Sequence, residues 1–181
     1  MNFLRIYYKK IIKYDLINKF VYKNNETVPK LINVILSFGC KNFNIQKFAT
    51  TLLALEILTL KKSTISTQRK NVNVLLKLQK GQPAGCKVIL KKKEINIFLT
   101  KLHLEILPKL KNFIGFKFQI RNSIFSLQLL HNEIILPEFK NQYPLFSDLS
   151  NLNIHVFANS KNHKEFLFLI KSIKFPLKIF G

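Results

Sequence analysis

Acidic residues are scarce in this chain. Only 9 Asp and Glu stand against 30 Lys and Arg in 181 residues, for a net charge of +21. None falls between Glu56 and Glu94. Clustered carboxylates for acid–base or metal-assisted chemistry are therefore missing. Glu133 and Glu138 flank Ile134–Pro137, and in a chain this basic they read as ion-pair partners. Trp is absent, so aliphatic residues and 17 Phe must supply the core. The two cysteines, Cys40 and Cys86, lie far apart with no Cys or His at metal-ligand spacing. Two small buried thiols in a reducing compartment are expected rather than a disulfide. No apolar run approaches the roughly 20 residues that cross a bilayer. The longest, Ala49–Leu60, is interrupted by Glu56, and no membrane insertion is expected. Nor is there a separate signal region or an Arg/Ser-rich leader. Met1 leads straight into a periodic helix, as in a protein made where it works or one recorded without its leader.

The four histidines, His103, His131, His155 and His163, are scattered, and none has the spacing that puts two imidazoles on one metal. Ser37 precedes Phe38-Gly39 and forms no nucleophile elbow. The glycine turn Gly81-Gln82-Pro83-Ala84-Gly85 lacks a phosphate-loop lysine and does not open a helix. No catalytic site, metal or cofactor is expected.

What the chain has is lysine: 27 of them, with 3 arginines. Ten basic residues crowd Ile57–Lys93. A segment this positive repels itself and calls for a polyanion. Nucleic acid is the first choice and an anionic membrane surface the second. Lysine is a point charge without arginine's fork, so phosphate binding should lean on charge more than on bidentate geometry. Lys, Asn, Ile and Phe share A/T-rich codons, which suggests an A+T-biased genome such as that of an organelle or a parasite.

At 48% hydrophobic residues the chain can bury a real core. Residues 3–20 read as a helix with Leu4, Tyr8, Ile11, Ile12 and Leu16 on one stripe. Asn24-Asn25-Glu26 is a turn, and Lys30–Phe38 a strand ending at Gly39. Gln46–Leu60 is an apolar helix, followed by a short strand near Ser63–Ser66, a loop or hairpin through Arg69–Lys80, and the strand Cys86–Leu90. Glu94–Leu107 is helical, stopped by Pro108. Phe116–Ile120 and Ile124–Leu130 alternate as a hairpin around Arg121-Asn122-Ser123. Pro137 and Pro144 mark an irregular connection, and Leu152–Phe157 is a further strand. Asn162 and Glu165 have capping-box spacing at the start of a last helix, with Phe166, Leu169, Ile170 and Ile173 inward and Pro176 ending it. The expected fold is α+β, a mostly antiparallel sheet with helices packed on one side, over one domain, 1–181.

Several motifs then fall in register. Tyr7-Tyr8-Lys9, Phe20-Val21-Tyr22-Lys23-Asn24 and Val28-Pro29-Lys30 open the chain. Thr67-Gln68-Arg69-Lys70 and Gly81-Gln82-Pro83-Ala84-Gly85-Cys86-Lys87-Val88 sit at its centre. Leu136-Pro137-Glu138-Phe139 and Phe175-Pro176-Leu177 follow. In order and spacing the chain resembles the large-subunit ribosomal protein five family, which binds 5S rRNA, across nearly its whole length. The resemblance implies a structural, non-enzymatic place in the central protuberance. Its partners there are large-subunit rRNA, usually 5S rRNA, the elbow of the P-site tRNA, neighbouring large-subunit proteins and small-subunit head protein thirteen. It implies a basic extended loop over 67–83, with Arg69, Lys70, Lys77 and Lys80 against phosphates. Further RNA contacts are implied at Lys30, Ser37, Lys61, Lys62, Gly81, Gln82, Lys87 and Lys91. Phe118-Gln119-Ile120-Arg121-Asn122-Ser123-Ile124 looks like mitochondrial members rather than bacterial or plastid ones. With the codon bias, this implies a mitochondrial-matrix ribosome and an organelle-encoded chain. The family's 5S-facing asparagine, glutamine and threonine align with Ser37, Lys61 and Ile89. The threonine-to-isoleucine departure removes a hydrogen-bond donor, which makes 5S rRNA a conditional partner. A free organellar RNA-binding or RNA-processing factor of the same fold is the alternative.

Overall fold

The computed structural model describes residues 3–39, 45–67, 81–109, 119–121, 123–130, 143–146 and 149–175. Helix α1 (Phe3–Tyr7), a π-helical turn (Tyr8–Ile12) and α2 (Lys13–Lys19) run on as one helix. The wider turn accounts for a departure from the sequence reading. A turn with one extra residue rotates the later part of the helix about its axis, so Ile12 is buried while Ile11 is 45% exposed. The other expected core positions of this helix, Leu4, Tyr8 and Leu16, do pack on the core.

After a 3-10 turn (Asn25–Thr27) comes β1 (Leu31–Gly39), then α3 (Ile45–Thr59), β2 (Thr64–Thr67) and β3 (Pro83–Lys91). Helix α4 (Lys93–Lys101) continues through a second π-helical turn (Leu102–Ile106) into a 3-10 turn (Leu107–Lys109). The hairpin β4 (Gln119–Arg121) and β5 (Ile124–Leu129) turns at Ser123, whose φ is 63°. A short helix α5 (Tyr143–Phe146), strand β6 (Leu152–Ala158) and helix α6 (His163–Ser172) complete the order. Asn162 sits at the start of α6 as its spacing predicts, but its amide donates to the Glu165 carboxylate (3.0 Å) and makes no cap to the backbone. The helix closes on Lys174 at φ 61°, with Lys174 N–H reaching Lys171 O (2.9 Å) and Phe175 N–H reaching Ile170 O (3.4 Å). That Schellman pattern returns the Phe175 ring to the core.

The strands form one six-stranded sheet in the order β2-β3-β1-β6-β5-β4. Every pairing is antiparallel. Side chains alternate between the two faces of each strand. Val34, Leu36 and Phe38 of β1 join Cys86, Val88 and Leu90 of β3 on one face. Phe125, Leu127 and Leu129 of β5 and Leu152, Ile154 and Val156 of β6 extend it. These residues share a single core cluster with Leu55 of α3, Phe98 and Leu99 of α4, and Phe166 and Leu169 of α6. The fold is thus α+β, with helices stacked on one side of an antiparallel sheet.

The glycine turn is shorter than its sequence suggests. Only Gly81, at φ 88°, and Gln82 turn, whereas Pro83, Ala84 and Gly85 already belong to β3. Gly85 is required for a different reason. It pairs with Gly39, and a Cβ there would run into the Phe38 carbonyl oxygen.

Candidate nucleic-acid interface

The other face of the sheet is only half-buried, and the strand register fixes what it carries. Ser37 pairs with Lys87 on one side and Asn153 on the other. Lys87 in turn pairs with Thr64, and Asn153 with Gln128. Paired residues project to the same face, so Thr64, Lys87, Ser37, Asn153 and Gln128 form one polar row across five strands. At about 4.8 Å per strand the row is roughly 19 Å long. Beside it runs a second row of Ile89, Ile35, His155 and Ser126. The Ser126 hydroxyl and His155 Nδ1 lie 2.8 Å apart, while Ile89 and Ile35 bring only aliphatic surface.

Two of the sequence-derived candidates, Ser37 and Lys87, are brought together at the middle of this face. Lys91 ends β3 and is exposed, as are Lys30 just before β1 and Lys62 just before β2. Gly81 and Gln82 lie at the opposite end of β3. Arg69, Lys70, Lys77 and Lys80 lie outside the described residues, as do Cys40, His131, Glu133 and Glu138. Thr64, Asn153 and Gln128 were not singled out by the sequence reading. Their signal was there, in the period-2 alternation of three strands, but it becomes a row only once register is known.

Lys61 is already engaged within the fold. Its ammonium donates to the Glu94 carboxylate (2.8 Å) and to the Ile89 carbonyl (3.0 Å). Glu94 also accepts the Lys91 backbone N–H at 2.9 Å. The Lys61 hydrogen bond, and then that of Lys91, hold the Glu94 carboxyl below its usual range. Glu56 is held low in the same way by the Ser63 backbone N–H and hydroxyl, both at 3.0 Å. These two carboxylates fasten the chain where α3 passes into β2 and β3 into α4. Tyr22 is pushed up to about 12, first by burial and then by the nearby Glu165 charge.

Among the described residues, no group of three or more His, Cys, Asp or Glu is placed to hold a metal. No helix among them is long and apolar enough to cross a membrane.

A helix-backed sheet whose free face is polar, with Lys87 at its middle and exposed lysines at its strand ends, has the design of an α+β protein suited to a polyanion. No protein-family model matches the chain. It is 32% identical over 180 residues to the large ribosomal subunit protein uL5m of Reclinomonas americana, with 98% of each chain covered. The large ribosomal subunit protein uL5 of Blochmanniella floridana is 30% identical over 178 residues, covering 97% of this chain and 92% of that one. That of Wigglesworthia glossinidia brevipalpis is 29% identical over 175 residues, covering 95% and 97%. The chain belongs to the large ribosomal subunit protein uL5 family, whose members are structural constituents of the large subunit rather than enzymes.

Proposed function

We propose that this protein is an rRNA-binding structural constituent of a mitochondrial large ribosomal subunit, seated in its central protuberance. The free sheet face carries this reading. Its polar row offers hydroxyl, amide and ammonium groups at even spacing, suited to phosphates and 2′-hydroxyls of a folded RNA rather than to base edges. The Ile89–Ile35 pair beside the row offers no donor, so shape is recognised there, and 5S rRNA is a conditional partner. The name of the Reclinomonas relative and the A+T-biased composition favour a mitochondrial ribosome, with the chain encoded in that organelle's genome and working in the matrix.

Within one domain, residues 67–83 act as a basic arm. Its flanks, Thr67 and Pro83, pair across neighbouring strands. Arg69, Lys70, Lys77 and Lys80 on it are available to the P-site tRNA elbow, and the arm's end of the domain faces the small-subunit head and its protein thirteen.

Sedimentation tests the assembly. The tagged chain should travel with large particles from the mitochondrial fraction at moderate salt. Affinity for large-subunit rRNA should fall roughly 10³-fold or more between 50 and 200 mM salt if six or more phosphates are engaged. A chain that stays at the top of the gradient, or an affinity indifferent to salt, overturns the reading. Charge reversal at Lys70 and Lys77 should weaken tRNA crosslinks to the arm and leave sedimentation unchanged.

A further inference from the structure

A half-open groove of about 380 Å³ lies on the helical side, between the N-terminal helix and α4. That volume falls in the range of roughly 300–1,000 Å³ found for ligand pockets. Its floor is apolar, built from Leu4, Ile12, Leu31, Ile95, Leu99 and Ile173. Its rim carries Arg5, Lys9, Lys30, Lys92 and Lys93, all exposed, and among the described residues no carboxylate lines it.

The groove lies at the far end of β3 from Pro83. Lys30 precedes β1, which Leu31 opens, and Lys92 and Lys93 come after the end of β3, whereas β3 begins at Pro83. The nine residues of β3 separate the groove from Pro83 by roughly 30 Å.

The chemistry of floor and rim narrows the occupant. A nucleobase carries donors and acceptors on its edge, and the floor has nothing to pair with them. The two uncharged polar side chains that line the groove are already engaged: the Tyr8 hydroxyl donates to the Pro29 carbonyl at 2.7 Å and the Asn96 amide to the Lys92 carbonyl at 3.4 Å. Burying a base edge unpaired costs on the order of 1–3 kcal/mol per group. A lone phosphate would use the rim and leave the apolar floor unmatched. A bulky apolar side chain flanked by carboxylates satisfies both.

We propose that this groove seats an acidic segment of a neighbouring large-subunit protein, anchored by a Leu- or Phe-sized side chain on the floor with its carboxylates against the cationic rim. The proposal rests on the ribosomal reading, because that reading limits the neighbours to RNA and protein. One domain would then hold RNA on its sheet and protein at the opposite end of its helical layer.

Photo-crosslinking in assembled large subunits tests it. A benzophenone side chain replaces Arg5 at the rim in one chain, and Gln128 on the free sheet face in another. The expected adduct at position 5 is destroyed by protease and resists nuclease, while that at position 128 is destroyed by nuclease. Lys9→Glu with Lys93→Glu should lower the position-5 adduct by at least about fivefold through charge repulsion. Asn96→Trp, which fills the groove mouth, should lower it as well. Both variants should keep the wild-type melting profile and sedimentation. A nuclease-sensitive adduct at position 5, an adduct to lipid or within the chain itself, or no adduct there while position 128 links, overturns the proposal. So does a protein adduct indifferent to both variants. Failure of position 128 to link, with loss of co-sedimentation, overturns the ribosomal reading and this proposal together.

Discussion

The two faces of β1 share one backbone and have opposite duties. Val34, Leu36 and Phe38 are 0%, 0% and 1% exposed, packed against the helices. Asn33, Ile35 and Ser37 alternate with them and stay half-buried on the free face. Folding free energy is concentrated on the first set, because buried apolar area is its source. The second set contributes little to folding, which leaves it available for recognition. A period of two therefore separates stability from binding residue by residue, and substitutions at adjacent positions should have different phenotypes.

The sharpest way to break this contrast is at Phe38 and Ser37. Phe38→Ala removes a fully buried ring and should cost about 3–5 kcal/mol, a large share of a typical domain's stability. Ser37→Ala should stay within about 0.5 kcal/mol. Denaturant midpoints for the two variants check this, and equal losses would sink the division of faces. The paired glycines make a second contrast. Gly85→Ala drives a methyl against the Phe38 carbonyl and should cost about 2 kcal/mol, as overpacking does. Gly39→Ala, opposite it, meets nothing within 4 Å and should change the melt by less than about 0.5 kcal/mol.

Much of this was legible before the fold was known, for physical reasons. Apolar positions at helical spacing announced α3, α4 and α6, alternation announced β5 and β6, and Pro29 and Gly39 bracketed β1. A hairpin around Arg121-Asn122-Ser123 was implied by its neighbours' pattern, and β4 and β5 do pair there. The inward turn of Ile12 rather than Ile11 was not legible, because a π-helical turn is a tertiary accommodation with no composition of its own. Gly85 looked like a turn residue. Its actual role, letting two strands approach, depends on the partner strand. The candidate site was partly legible: the resemblance singled out Ser37 and Lys87, which the strand register pairs, whereas Thr64, Asn153 and Gln128 needed that register. Lys61 is the instructive case. The family resemblance implies an RNA contact there, and the structure has its ammonium on Glu94 and Ile89, a pairing that no local pattern encodes.

That difference between two lysines of one tract makes a third test. Lys87→Ala should lower rRNA affinity several-fold at moderate salt and reduce the slope of log affinity against log salt by about 0.7–0.9, one phosphate's worth. Its melt should stay within about 0.5 kcal/mol of wild type. Lys61→Ala should do the reverse, shifting the melt and leaving the salt slope nearly unchanged. Filter-binding titrations at four salt concentrations, run beside thermal melts, separate the two. A Lys61 variant that loses a full unit of slope would show that its ammonium leaves Glu94 for RNA.

The smallest effect expected comes from the carboxylate on the other side of that pair. Lys61 and Glu94 are 37% and 40% exposed, so solvent screens their attraction, and Glu94→Gln should cost about 1 kcal/mol at neutral pH. The Glu94 carboxyl is held below 4.5 in the folded chain, by Lys61 first and the Lys91 N–H second. Unfolded, it returns to its ordinary value and binds a proton more readily. Its contribution to stability is thus complete above about pH 5 and fades as pH falls through the lowered folded value. The gap between wild type and Glu94→Gln should accordingly be flat from pH 7 to about 5 and shrink towards pH 3. Glu56, held by Ser63, has the same sign, so the variant at 94 should retain part of the acid sensitivity. A gap that widens on acidification would mean that the Lys61 contact forms with the protonated acid, against the geometry of two donors aimed at one carboxylate oxygen.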